Sequence, residues 1–211
     1  MRALLALLVG AALFGSAGAA AGADEVAAQA TDGASDDAGY VQVIEVSGLL
    51  DPVLVQFIEQ QIDEADREGA VALIIQMNST GAVVGDDEVQ ALATAIAEAD
   101  TQIGVWVGPS GSTAQGAAAE LVGVAPLAGM APGTDLGDVG DGGVPTDLLR
   151  PGYLAAIDTI RDERVGDEVA LASGLIDVDA PTVGDFALEL DGFQTTLVFD
   201  GVPVDDPDVS I

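Results

Sequence analysis

The stretch AVALIIQMNSTGAVVGDDEVQALATAIAEADTQIGVWV, residues 70–107, decides the fold. Its first eight residues are apolar at nearly every position, the pattern of a central parallel strand covered on both faces. NSTGAVVG at 78–85 is a loop. Asp86 then stands where a helix cap belongs, and Val89, Leu92, Ile96 and Ala99 follow at helical spacing. The acids Asp86, Asp87 and Glu88 suit the positive end of that helix. IGVWV at 103–107 is the next strand, with Trp106 expected in the core.

Working outward, VQVIEV at 41–46 is strand-like. Asp51-Pro52 supplies a cap and a proline at the first helical position. Val55, Ile58, Ile62 and Ala65 repeat at helical spacing up to Gly69. The order β-α-β-α-β predicts right-handed crossovers and a parallel sheet. Downstream, 108–111 is a tight loop, and 112–122 predicts a helix of small residues that can pack closely. Residues 127–130 form a short strand, and the Gly- and Asp-rich 135–150 a loop or lid. A helix is predicted over 153–164, with Leu154, Ile157 and Ile160 apolar. A short helix at 169–172, a strand at 175–177 and a late strand at 195–199 complete the pattern. No internal repeat is present.

The ends differ from this core. Arg2 followed by ALLALLVGAALF at 3–14 and a run of small residues predicts a signal peptide over 1–22, cleaved at an A-x-A site. Its apolar stretch is shorter than the ~20 residues that span a bilayer. No cysteine follows it, so it is not a lipoprotein leader. Residues 23–39 (ADEVAAQATDGASDDAG) read as a flexible acidic linker. The folded domain is expected over 40–193, with a terminal strand and acidic tail over 194–211. The protein is expected to work extracytoplasmically, secreted or membrane-associated.

Charge and missing residue types exclude much chemistry. The 211 residues hold 36 Asp and Glu against 5 basic residues, a net charge of −31. The basic residues are Arg2, Arg67, Arg150, Arg161 and Arg164, and the chain has no Lys, His or Cys. Serine–histidine and cysteine–histidine sites are therefore absent. So are serine–lysine dyads and Schiff bases, structural zinc of the Cys/His kind and the phosphate-binding loop that needs lysine. Nucleic acid would meet a strongly negative surface and is not an expected partner. Hydrophobic residues at 49% separate the chain from disordered acidic segments. The acidic excess resembles the surfaces of salt-adapted proteins.

Three loops carry a family resemblance. Met77-Asn78-Ser79-Thr80-Gly81-Ala82 resembles L-N-T-P-G-G. Residues 108–118, GPSGSTAQGAA, resemble P-x-G-x-x-A-x-S-A-G. Met130-Ala131-Pro132-Gly133-Thr134-Asp135-Leu136-Gly137 nearly matches M-A-P-G-T-x-I-G. These are motifs of the extracytoplasmic domain of NfeD proteins, membrane-bound serine proteases of the ClpP class. The resemblance covers about 40–193. It implies an α/β fold: a ClpP/crotonase-like spiral of ββα units with a mostly parallel sheet.

It also implies a chemistry: a serine attacks the peptide carbonyl, a lysine takes its proton, and backbone N–H groups hold the oxyanion, each donor worth about 3–4 kcal/mol. In this chain Gly116 stands at the nucleophile's position. The segment expected to bring the lysine, about 140–152, holds only Arg150, and an arginine stays protonated. The glycine pair is Gly81-Ala82, the expected oxyanion and peptide-binding pair. Met130, Pro132, Gly133 and Thr134 are expected in a cleft loop. The resulting reading is a pseudoprotease that binds a peptide or an apolar segment of a membrane protein by strand addition. The resemblance implies a stomatin-like partner and a homodimer.

Two readings compete. In one, a serine peptidase works through a shifted Ser112 or Ser110. Ser112 is otherwise a helix cap with Gln115 three residues on, and Ser110 a turn residue. In the other, carboxylates from Asp135, Asp138 and Asp141 run a crotonase-like hydrolysis. Those aspartates otherwise form a solvated loop. Their spacing also allows calcium but matches no trusted pattern, so no metal and no cofactor is expected.

Overall fold

The computed structural model describes residues 40–190, together with the backbone of two strands at 196–199 and 202–204. The expected signal peptide and linker lie outside the described residues, as do 205–211.

The chain begins with strand β1 (Tyr40–Ser47), helix α1 (Pro52–Glu68) and strand β2 (Ala72–Asn78), then helix α2 (Asp86–Glu98) and strand β3 (Gln102–Val107). Asp51 caps α1: its side chain accepts from the N–H groups of Val53 (3.0 Å) and Leu54 (2.8 Å). Val55, Ile58, Ile62 and Ala65 turn inward. The second helix starts differently from the expectation. Its cap is Gly85, whose N–H donates to the Glu88 side chain at 2.8 Å, and Asp86 is the first helical residue.

β1, β2 and β3 pair in parallel, with β2 between its neighbours. The apolar run at 70–77 follows from this place. Leu73, Ile75 and Met77 face one core, beneath α1 and α2. Ala72 and Ile74 face a second core on the opposite side of the sheet, with Val41, Val43 and Trp106.

Beyond β3 the structure corrects several expectations. Residues 112–122 do not form one helix. Thr113–Gln115 is strand β4, and helix α3 runs over Ala117–Val124. Strand β5 (Leu127–Met130) joins the main sheet beside β3. The 135–150 segment opens with strand β6 (Asp135–Gly137), which pairs in parallel with β4. The helix expected over 153–164 is shorter and earlier: α4 spans Pro151–Ala156, a 3₁₀ turn covers Ile157–Ile160, and Arg164–Gly166 is strand β7, antiparallel to β6. Helix α5 spans Asp167–Ser173, and the strand expected at 175–177 is instead β8 (Val178–Asp179).

Residues 183–188 carry no strong helix signal in the sequence, yet form helix α6 (Val183–Leu188). Its Phe186 seals the second core. A Cβ on Gly104 or Gly129 would lie 2.8 Å or 2.7 Å from the Phe186 ring, so glycines in β3 and β5 make its seat. Burying such a ring contributes about 1.5–3 kcal/mol. Trp106 anchors the same layer, donating from Nε1 to the Ala180 carbonyl at 2.9 Å.

Strands β9 (Thr196–Phe199) and β10 (Val202–Val204) finish the main sheet, whose order is β10-β9-β1-β2-β3-β5-β8. Only the β9–β10 pair is antiparallel. The second sheet has the order β4-β6-β7. Among the described residues, no helix is long and apolar enough to cross a membrane.

Candidate functional site

Two turns at the carboxyl ends of β2 and β4 build the site. After β2 the chain stays extended. Leu50 donates to the Gly81 carbonyl and Val83 to the Leu50 carbonyl, both at 2.9 Å. This parallel bridge places the N–H and carbonyl of Ala82 on the side away from Leu50. Neither group bonds to another described residue. Ser79 stiffens the turn: its buried hydroxyl donates to the Gly81 carbonyl at 3.1 Å. Ser79 also binds β4, donating to the Thr113 carbonyl at 2.7 Å and accepting from Gln115 N–H at 3.0 Å.

The second turn is Gly116, between β4 and α3. Its backbone lies at φ 55°, ψ −128°, close to conformations that glycine alone adopts freely. It is held there by its N–H on the Gly137 carbonyl (3.1 Å) and by Glu120 N–H on its own carbonyl (3.1 Å). A Cβ at this position would meet Gly81 Cα at 3.7 Å and the Asp138 carbonyl at 3.9 Å, both ordinary contacts. There is room for a side chain between the two turns. Ala117 N–H is one of the unpaired first-turn donors of α3.

Between the turns lies a cleft of about 450 Å³. Gly81, Ala82, Gly116 and Ala117 form one side, and Val84, Val89 and Val139 supply apolar wall. Its acidic side chains are Asp86, Glu120 and Asp141; among the described residues no basic side chain lines it. Glu120 is only 3% exposed. Burial pushes its carboxyl above the usual glutamate range. Hydrogen bonds from Val144 and Gly143 N–H pull it back, and the charge of Asp86 adds to the rise. This carboxylate is not among the residues the sequence singles out. The available signal was a lone acid in an otherwise apolar helix, one turn after Gly116.

Other expected site residues lie elsewhere. Ser112 is 4% exposed, its backbone tied to Pro109 and Asp135. It caps no helix, because β4 follows it, and Gln115 instead donates to Thr113 Oγ1 at 3.0 Å. Ser110 sits in the exposed turn beside Gly133. Neither serine lines the cleft. Nor do Met130, Pro132, Gly133 and Thr134. Met130 is buried in β5, Thr134 Oγ1 donates to the Ala131 carbonyl at 2.7 Å, and Gly133 N–H donates to Asp167 at 3.0 Å.

Arg150 does not line the cleft. It pairs with Asp177 and donates to the carbonyls of Leu175 (3.0 Å) and Val122 (3.4 Å). Of the three loop aspartates, Asp138 pairs with Arg164 at 3.3 Å and Asp141 alone reaches the cleft. Among the described residues, no group of three acidic side chains is placed to hold a metal ion.

No family model matches the sequence, and no curated protein matches it. Solved structures do. A membrane protease specific for a stomatin homolog, from Pyrococcus horikoshii, is 20% identical. The match covers 79% of this chain and 86% of that one, with a TM-score of 0.62. A lysine-to-alanine mutant described as a membrane-bound stomatin-specific protease, in complex with a substrate peptide, matches at 20% identity over 80% of this chain and 87% of that one, TM-score 0.62. An enoyl-CoA hydratase/isomerase homologue from Acinetobacter baumannii follows at 14% identity, 71% and 75% coverage and TM-score 0.55. The likeness establishes the fold: an α/β, ClpP/crotonase-like spiral with a mostly parallel sheet.

Proposed function

We propose that this chain is an extracytoplasmic, protease-like domain of the NfeD/ClpP class that binds peptides without cleaving them. The observation that carries the reading is Gly116. It occupies the turn where the family resemblance places the nucleophile, with space for a side chain and none present. The whole chain lacks lysine, and Arg150 is held by Asp177 away from the cleft. Asp86 and Asp141 oppose catalysis further, since negative charge beside a developing oxyanion raises its energy.

Binding needs none of the lost groups. Ala82 offers one N–H and one carbonyl to the cleft side, the pattern with which an extended peptide adds as a strand. The resemblance and the fold neighbours make an apolar segment of a stomatin-like membrane protein the natural partner. Catalysis by a shifted Ser112 or Ser110 would require those hydroxyls to reach a cleft that neither lines.

The test treats the purified, folded protein with a fluorophosphonate probe, reads intact mass, and titrates extended apolar peptides by calorimetry. No adduct and no cleavage, with peptide binding weakened by Ala82→Pro, which removes the free N–H, is the expected result. An adduct on Ser112 or Ser110 together with turnover refutes the reading.

A further inference from the structure

The groups left free around the cleft are mostly acceptors. The Ala82 carbonyl faces away from Leu50 and has no partner among the described residues. The Asp138 carbonyl has none either, and it lies 3.9 Å from the point where a Cβ at Gly116 would stand. The room that Gly116 leaves is therefore bordered by an unpaired carbonyl. The Asp86 and Asp141 side chains are exposed and line the same cleft. Among the described residues neither takes part in an ion pair. A Cβ on Gly143 would lie 3.4 Å from Asp86 Oδ1, so this carboxylate stands against the segment that carries Asp141.

The other charges within reach are already engaged. Glu120 accepts from Gly143 N–H with both oxygens (2.9 and 3.0 Å) and from Val144 N–H at 3.1 Å. The Asp138 carboxylate pairs with Arg164 at 3.3 Å. Arg161 lies near enough to Asp141 to feel its charge, but its guanidinium donates to the Gly140 carbonyl at 3.0 Å and to Asp158 at 2.9 Å. Val84, Val89 and Val139 supply apolar wall in the same cleft. The matching occupant has an apolar stem and a cationic tip that only donates. Among side chains that describes lysine and arginine.

We propose that the cleft selects a basic residue within an extended apolar segment: its stem lies along the valines, and Asp86 and Asp141 take its charged tip. This choice rests on the peptide-binding reading of the cleft and sets its specificity. Backbone pairing at Ala82 is blind to sequence, so side-chain surroundings must do the choosing. An acidic residue at the same place meets two carboxylates and is rejected. The net charge of −31 attracts any cation over a longer range, so local preference has to be measured at equal net charge.

Calorimetry on the intact protein compares short Val/Thr-rich peptides, capped at both ends, that differ at one central residue: lysine, norleucine or glutamate. At low salt the lysine peptide should bind about fivefold or more tighter than the norleucine one, as two exposed ion pairs allow, and the glutamate peptide weakest. Added salt should shrink the preference. Asp86→Asn combined with Asp141→Asn should abolish it. Asp63→Asn combined with Glu98→Gln makes the same change in net charge at exposed positions outside the cleft lining, and should leave it in place. Norleucine binding as tightly as lysine overturns the proposal while peptide binding stands. So does a preference that survives Asp86→Asn with Asp141→Asn, or one lost equally in the control. Binding of none of the three peptides refutes the peptide-binding reading itself, and this preference with it.

Discussion

Replacing Gly116 with serine restores the residue type that the family resemblance expects, and it separates backbone strain from chemistry. The glycine sits at φ 55°, ψ −128°. A residue with a Cβ pays about 1–3 kcal/mol to hold such a conformation. No steric cost adds to this, because the new Cβ would meet its nearest neighbours at 3.7 and 3.9 Å. With a urea m-value of roughly 2 kcal/mol/M, the unfolding midpoint should drop by about 0.5–1.5 M. Trp106, the single tryptophan and only 2% exposed, reports the transition by fluorescence. The folded Gly116→Ser protein should still resist the fluorophosphonate probe, since no lysine exists to take the proton. Gly137→Ala is the steric contrast: its Cβ would fall 2.1 Å from the Glu163 carbonyl, so its loss should be larger. An unchanged midpoint for Gly116→Ser, or a loss above about 4 kcal/mol, would refute the assigned geometry. Rapid labelling of Ser at 116 would refute the argument that the missing base prevents catalysis.

Three further perturbations test the frame. Arg150→Ala leaves Asp177 only its Ala128 N–H partner and frees the carbonyls of Val122 and Leu175; unfolding titrations should show a loss of about 1–2 kcal/mol. Tyr153→Phe removes a 2.7 Å bond from the buried hydroxyl to the Ala119 carbonyl under α3 and should cost about 1 kcal/mol in the same assay. Asp66 ties α1 to the turn before β3. Burial pushes its carboxyl up, but hydrogen bonds from Thr101 and from Asp100 N–H outweigh this and hold it below the usual aspartate range. Its contribution is full above the unfolded-state value of about 3.9 and is lost as pH falls through the folded-state one. Asp66→Asn should therefore lower stability at neutral pH and flatten the acid limb of a stability–pH curve; an unchanged limb would contradict the assignment.

The sequence by itself determined the β1-α1-β2-α2-β3 half. Strand and helix signals there are local: an Asp-Pro cap, a 3.6-residue apolar repeat, and a doubly apolar run at 70–77 that only a central strand explains. It also determined which catalysts are absent, because composition excludes a lysine wherever the chain folds. Tertiary structure decided the rest. Thr113–Gln115 has the small residues of a helix start, yet becomes a strand because β6 and Ser79 offer it partners remote in sequence. Phe186 has no local signal that it seats on Gly104 and Gly129. Glu120 reads as one acid in a helix until folding carries Gly143 and Val144 onto it and Asp86 beside it. Propensity and capping act over a few residues and can be read along the chain. Pairing, burial and the field around a carboxylate arise only when distant segments meet.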